Sequence, residues 1–489
     1  MRTDRQTRRD FLEAMGLGAA AMIVPAGLLV AQGRARKPNI LLIIGDDMLW
    51  QDCEPHGSKD VKTPNMARLA AEGMRFDRMF TATAMCAPTR QQLYTGMFPV
   101  RNGAYPNHSA VYDGVKSLPH HLKALGYRVG LIGKTHFKPA SSYPFEILAG
   151  GKQGASNTKV IAQFVNRDKE QPYCLIVCSN EPHGPWDQGD STAYDAEKLT
   201  VPAFLVDTKV TREALTKYYA EITFLDGQLG GCMKVVDASG SKNDTILIFT
   251  SEQGSSFPFG GKWTCYDAGL KTAFILRWPA RVKAGSSTQA MTQYVDVTPT
   301  LIEAAGGDPK TINTGRADAK GYTGFDGRSF LAVLEGKADK HHDYVYGAHT
   351  TRGIINGSEC YPVRSVRSDK YKYIANLNHE AVFTNAVTTT GQDSVLQSWI
   401  EKGKTDPAAA ARARAYQYRP AEELYDVSKD PWELNNLAGD PKYRAAKEFL
   451  HNELEAWMDQ QGDKGTETEM LAEVRQGRTA GNKKAKKVR

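Results

Sequence analysis

"NILLIIGDDM" (residues 39–48) sets five apolar residues, Ile40 to Ile44, directly before Gly45-Asp46-Asp47. A short unbroken apolar run that stops at glycine reads as a strand buried on both faces, the pattern of a parallel sheet. Four more runs share it: "YRVGLI" (127–132), "YCLIVC" (173–178), "TILIFT" (245–250) and "AFILRW" (273–278). Helical stretches lie between them. "TPNMARLAAEG" offers Thr63 as N-cap, Pro64 at the first helical position and Gly73 as the stop. "SLPHHLKALG" repeats that design with Ser117, Pro119 and Gly126, and residues 212–236 form a long amphipathic stretch. Strands alternating with helices predict an α/β fold: a doubly wound, mostly parallel sheet flanked by helices.

After about residue 340 the texture changes. "YPVRSVRSDKYKYIANL" (361–377) alternates as a half-buried antiparallel strand does, a turn-rich stretch follows, and residues 441–460 read as a closing helix. The expected organisation is a catalytic α/β domain over 37–340 and a smaller C-terminal α+β subdomain with an antiparallel sheet over 341–465. At 489 residues the chain has room for both.

The net charge of +7 is concentrated at the ends. From Arg475 on, "RQGRTAGNKKAKKVR" holds seven Lys and Arg and no acid, and residues 1–36 hold six Arg against Asp4, Asp10 and Glu13. The body between is therefore slightly acidic, which argues against a nucleic-acid partner. Residues 466–489 read as a basic, disordered tail. In residues 1–36, Arg8-Arg9 and Phe11-Leu12 precede a mildly apolar run, Gly16 to Val30, too short and too rich in Gly and Ala to span a membrane. This is the pattern of a twin-arginine export signal, with cleavage between Ala31 and Arg36, so the expected partner is the twin-arginine machinery and the location periplasmic or secreted. Seven cysteines, an odd number with no Cys-x-x-Cys pair, leave at least one thiol unpaired in such a chain.

In open α/β sheets ligands gather at the carboxyl ends of the strands. Here those ends carry Asp46 and Asp47, then Lys134 and His136, then His183, then Glu252 and Gln253. Asp46, Asp47, Glu252 and Gln253 make an all-oxygen donor set for a hard divalent cation, Ca²⁺ first and Mg²⁺ second. With Lys262, the lysines and histidines suit a tetrahedral anion such as a sulfate or phosphate ester. Cys86, in "TATAMCAPTRQQLYTG" (81–96), sits at a helix start fixed by Pro88, where backbone N–H groups favour an anion. Arg90 lies one turn along the same face.

Cys86-Ala87-Pro88-Thr89-Arg90, followed by Leu93, Thr95 and Gly96, resembles the signature of the formylglycine-dependent sulfatases, within the alkaline phosphatase-like superfamily. "IIGDD", "GKTHF", "NEPHGPW", "FTSEQG" and "GGKWTCYDAG" follow the same family's order. "SSFPFGGKW", "YPVRSVRSDKYKYIANLN" and "ELYDVSKDPWELNNLAGDP" are most similar to its heparan N-sulfatase (sulfamidase) branch, and the resemblance spans nearly all of residues 37–460. It implies a sulfatase acting on sulfated carbohydrates such as glycosaminoglycan-like or algal polysaccharides, as esters or N-sulfates.

The resemblance further implies that a maturation enzyme oxidises Cys86 to Cα-formylglycine, whose hydrate is the nucleophile. His136 would serve as base and His183 as acid to the leaving group, while Arg90, Lys134 and Lys262 neutralise sulfate oxygens. Asp46, Asp47, Glu252, Gln253 and residue 86 would hold the cation. Glu252-Gln253 departs from the family's usual Asp followed by Asn or His, each side chain one methylene longer. Asn107, His108, His349, Arg352 and Arg364 are the candidates for binding sugar. Two other functions fit the same pocket: a phosphonate or phosphate ester hydrolase of the superfamily, and an inactive binder of sulfated glycans.

Overall fold

Nine strands make the main sheet in the computed structural model, which describes residues 36–151, 154–389, 391 and 394–477. In chain order these are β1 Asn39–Gly45, β2 Met74–Phe80, β3 Arg128–Gly133, β4 Glu146–Gly150, β5 Tyr173–Cys178, β6 Thr245–Ser251, β7 Lys271–Arg277, β8 Ser286–Thr288 and β9 Thr292–Gln293. Across the sheet they run β4-β3-β5-β1-β6-β7-β2-β8, and β9 also pairs with β2. The central strand β1 is parallel to β5 on one side and β6 on the other, with Ile40 opposite Cys174 and Ile246. All seven of its residues are buried. Leu41 and Ile43 join one core, Ile40, Leu42 and Ile44 the other. Side chains alternate across a strand, so a continuous apolar run is what two covered faces require.

The expected mostly parallel, doubly wound sheet is what the chain forms, with one change of direction. β7, foreseen as parallel, is antiparallel to both β6 and β2. Its connection from β6 carries the site residues Glu252, Gln253 and Lys262 and the short helix Asp267–Leu270, and β7 starts from the same end of the sheet. The residue foreseen as N-cap, Thr63, makes no side-chain cap on the helix Pro64–Ala71. Asp226, on the long helix Lys209–Ala238, accepts from the Asn65 and Met66 backbone N–H groups instead, at 3.0 and 2.8 Å.

The second sheet, β10 Val345–His349, β11 Val363–Arg367, β12 Tyr371–Asn376 and β13 Glu422–Asp426, is antiparallel throughout. The closing helix Arg444–Gln461 packs against it, with Trp457 stacked on Tyr346 at 4.9 Å. The described residues from Lys37 on belong to one compact unit. β11 is buried on both faces rather than half-buried. Its charged positions are neutralised inside: Arg364 pairs with Asp463, and Arg367 shares Asp267 with Lys372 of β12.

Residues 466–477 correct the expected boundary of a disordered tail. They form the helices Thr466–Met470 and Ala472–Arg475. Arg475 donates to the Gly103 and Ala110 carbonyls at 2.9 and 2.6 Å, which ties the segment to the catalytic core. The rest of that tail from 478, and the export signal apart from Arg36, lie outside the described residues. Among the described residues no helix is long and apolar enough to cross a membrane.

Candidate active site

The tips of β1, β3, β5 and β6 are stitched together by backbone hydrogen bonds. Asp46 N–H donates to the Glu181 carbonyl at 2.9 Å, Lys134 N–H to Cys178 at 3.2 Å, and Glu252 N–H to Gly45 at 3.0 Å. Cys86 opens the helix Cys86–Thr95, all ten residues of which are buried despite a polar sequence. Each polar side chain there needs a partner once out of water. Gln92 Oε1 accepts from the Ala82 N–H at 3.1 Å, Thr89 Oγ1 donates to the Thr83 carbonyl at 2.6 Å, and Gln91 Nε2 donates to the Ser109 carbonyl at 3.0 Å. These bonds fix the helix start, and with it residue 86, against the strand tips.

Around Cys86 the charges come in pairs. The Lys134 ammonium binds Asp46 Oδ2, Lys262 binds Asp47 Oδ2, and the Arg90 guanidinium binds Glu252 Oε1. Gln253 Nε2 donates to Asp47 Oδ1 at 2.6 Å and to Cys86 Sγ at 3.2 Å, and Cys86 Sγ donates to Asp46 Oδ1 at 3.4 Å. His183 Nδ1 donates to the Gly184 carbonyl at 2.7 Å, which places Nε2, 3.8 Å from Asp47 Oδ2, on the side of the cavity. His136 Nε2 meets His108 Nδ1 at 2.8 Å. Asp47, His108, His136 and Trp263 all have left-handed backbones and all line this cavity. Such conformations cost a non-glycine residue free energy and persist only where the surroundings fix them.

The electrostatics follow from burial and these pairs. Burial raises the Asp46 carboxyl, but Lys134, His183 and Arg90 outweigh it and hold the group well below the usual carboxylate range. Its neighbour Glu252 is pushed up to about 7 by burial and by the Asp46 charge, against the pull of Arg90 and Lys134. Burial, with Lys134 and His108, drives His136 far below an ordinary histidine, so it is a neutral base. Burial, Asp46 and Glu252 push the Cys86 thiol well up. A thiolate nucleophile needs the opposite shift.

The donor set fits a hard divalent cation. Carboxylate oxygens of Asp46 and Asp47 and the Cys86 sulfur lie within 4.8 Å of one another. Gln253 Oε1 is buried beside them without a hydrogen-bond partner, an uncapped oxygen of the kind Ca²⁺ or Mg²⁺ takes. Glu252 stands differently from its expected place in this set. Its Oε1 faces Arg90, while Oε2 accepts from Gln253 Nε2 at 3.3 Å on the Asp46 side.

Of the sugar-binding candidates, Asn107 and His108 line the cavity, beside Cys86, His136, His183 and Lys262. His349, Arg352 and Arg364 do not. His349 and Arg364 are fully buried, Arg364 on Asp463 with an N–H to the His349 carbonyl at 3.0 Å. Arg352 is taken by Glu359 and Glu473 at 3.0 and 3.2 Å. What the sequence reading missed is Gln476, which reaches the cavity from beyond the last sheet and donates to the Asn107 and Gly353 carbonyls. All seven cysteines are free.

Residues 38–307 match the family model described as Sulfatase, and residues 257–385 that of the N-sulphoglucosamine sulphohydrolase C-terminal region. An ulvan-active sulfatase of Formosa agariphila is 36% identical over 436 residues, 88% of this chain and 81% of the relative. Human N-sulphoglucosamine sulphohydrolase is 29% identical over 89% of this chain and 93% of its own. Among solved structures, BT4656 in complex with its substrate D-glucosamine-2-N,6-O-disulfate superposes with a TM-score of 0.66 at 20% identity, over 88% of this chain and 99% of that one. The phosphonate monoester hydrolase of Agrobacterium radiobacter gives 0.63 at 19% identity, over 87% and 96%.

Proposed function

Because the chain belongs to the sulfatase family, we propose that it hydrolyses sulfate groups, as esters or N-sulfates, from sulfated carbohydrates, using formylglycine made from Cys86. The observation that carries this reading is the cup around residue 86: Arg90, Lys134 and Lys262 converge there with Asp46, Asp47 and Glu252. The thiol is held protonated in that cup, so oxidation to an aldehyde supplies the reactive oxygen that the cysteine lacks. A divalent cation held by Asp46, Asp47 and Gln253 would contribute Lewis-acid charge at the sulfate oxygens.

The chain's own residues do the rest. Lys134, Lys262 and Arg90 present fixed positive charge to the sulfo group as its charge shifts in the transition state. His183 Nε2 delivers a proton to the departing alcohol or amine while the Gly184 carbonyl holds the ring's other nitrogen. His136, neutral and held by His108, takes the proton that is lost as sulfate is released. In the family's manner, a maturation enzyme converts Cys86 before the twin-arginine machinery exports the folded protein to the periplasm or beyond.

Sulfate release from a panel of sulfated mono- and oligosaccharides tests the reading. Nitrophenyl phosphate and a phosphonate monoester in the same panel test the phosphoryl alternative, which the Agrobacterium neighbour keeps in view. Turnover of the phosphorus esters alone would overturn the sulfate assignment. His183→Ala is expected to slow sugar sulfates by roughly 10²–10⁴-fold, the usual size of a lost general acid. Nitrophenyl sulfate, whose leaving group departs without a proton, loses far less; equal losses on both substrates would remove His183 from that role. Chelation with EDTA is expected to stop turnover and added Ca²⁺ or Mg²⁺ to restore it, and indifference to EDTA would contradict the cation site.

A further inference from the structure

Each strong cation of the catalytic cup has a carboxylate against it: Arg90 has Glu252, Lys134 has Asp46, Lys262 has Asp47. Lys138 does not. It lines the same cavity, and among the described residues its ammonium makes no hydrogen bond and no ion pair. Its backbone is nonetheless pinned. The Lys138 N–H donates to Gln91 Oε1 at 3.3 Å, its carbonyl accepts from Val111 N–H at 3.0 Å, and Pro139 follows. The chain thus presents an exposed ammonium with no carboxylate against it at the cavity, on a backbone held in place, four residues beyond Lys134.

The cavity is larger than a sulfate needs. At about 840 Å³ it is in the range of a small-molecule site, roughly 300–1,000 Å³. It offers polar groups from Asn107, His108 and Gln476, and apolar surface from Trp263 and Ile355, the latter 74% exposed. Aromatic and aliphatic surface beside a few fixed polar groups suits a sugar ring, with its C–H face and its hydroxyls. A lysine left over beside such a ring matches a negative charge on the sugar itself, separate from the sulfate being removed.

We propose that Lys138 marks a second anion subsite in this cavity, binding a carboxylate or second sulfo group carried by the sulfated sugar or its neighbour. This rests on the sulfated-carbohydrate reading and deepens it: the preferred substrate carries two negative groups. The first meets the cup at residue 86, and the second meets the Lys138 ammonium. A charge-assisted contact within a partly enclosed site distinguishes ligands with that group from ligands without it.

Binding to full-length protein carrying Cys86→Ala, measured by titration calorimetry, tests the subsite without turnover. The three probes are glucosamine N-sulfate, glucosamine-2-N,6-O-disulfate, and a disaccharide joining glucuronate to glucosamine N-sulfate. With Lys138 present, at least one doubly charged probe is expected to bind about tenfold more tightly than the singly charged one, the size of one added charge-assisted hydrogen bond. Adding Lys138→Met brings that ratio to near one, and Lys138→Arg returns most of it. The probe whose advantage disappears identifies the second group as sulfo or carboxylate. A ratio unchanged by Lys138→Met, equal weakening of all three probes, or binding of none overturns the subsite. Sulfate release by the unsubstituted enzyme is scored separately, so a failed sulfatase reading and a failed subsite give different results.

Discussion

Cys86→Ala is expected to reduce sulfate release by about 10⁴-fold or more, the scale on which loss of a covalent nucleophile is felt. The protein should remain folded. The thiol is small and fully enclosed, its partners Asp46 and Gln253 keep other bonds, and the helix that begins at residue 86 is fixed by Thr89, Gln91 and Gln92. Matched melting curves with collapsed turnover are therefore the expected pair of results. Turnover equal to that of the unsubstituted enzyme would take residue 86 out of the chemistry, leaving the glycan-binder reading of the pocket.

The second large effect falls on stability. Arg364 and Asp463 are both fully buried; Nη2 meets Oδ1 at 3.0 Å, and Nε binds the other oxygen. Arg364→Met leaves the Asp463 charge buried without its partner, which costs about 3–5 kcal/mol of unfolding free energy. Replacing both, with Met at 364 and Leu at 463, should recover most of the loss, because the desolvation cost of the charges disappears with them. Urea unfolding of the single and double variants measures this. A single variant of normal stability and raised KM for sulfated sugar would restore Arg364 to the substrate-binding role that its charge suggested.

The contrast between these two residues shows what the sequence made legible. Asp46, Lys134, His136, His183 and Glu252 could be placed because strand ends are local signals, an unbroken apolar run and then a glycine or a polar residue, and Cys86 because Pro88 marks a helix start. Arg364 could not, since the partner that takes it into the core lies 99 positions away in the chain. Asp226 replaces Thr63 as the helix cap across a comparable gap, 161 residues. β2, "MRFDRMF", was hidden by charges that its neighbours absorb, Arg75 by Asp77 at 2.6 Å and Arg78 by Asp369 at 2.6 Å. Gln476 was hidden by composition: the lysines and arginines around it read as tail, yet Arg475 anchors the segment on the 103–110 loop. Direction in β7 depends on the path of the connection from β6, which hydropathy does not encode.

The Glu252-Gln253 pair shows a finer limit. Residue types alone made both of them cation ligands, and Gln253 does carry an unpartnered buried oxygen next to Asp47 and Cys86. Glu252 also pairs with Arg90 through Oε1, a contact that residue type alone does not announce.

The proposal of formylglycine at residue 86 rests on one side chain, in a pocket where burial and the Asp46 and Glu252 charges push the thiol up. Mass spectrometry of the peptide spanning residues 81–96, from protein made in its native host, measures that side chain directly. The account predicts a mass lowered by conversion of the thiol to an aldehyde, with an adduct forming on treatment with a hydrazide. Unmodified thiol throughout, in a preparation that releases sulfate, would contradict it.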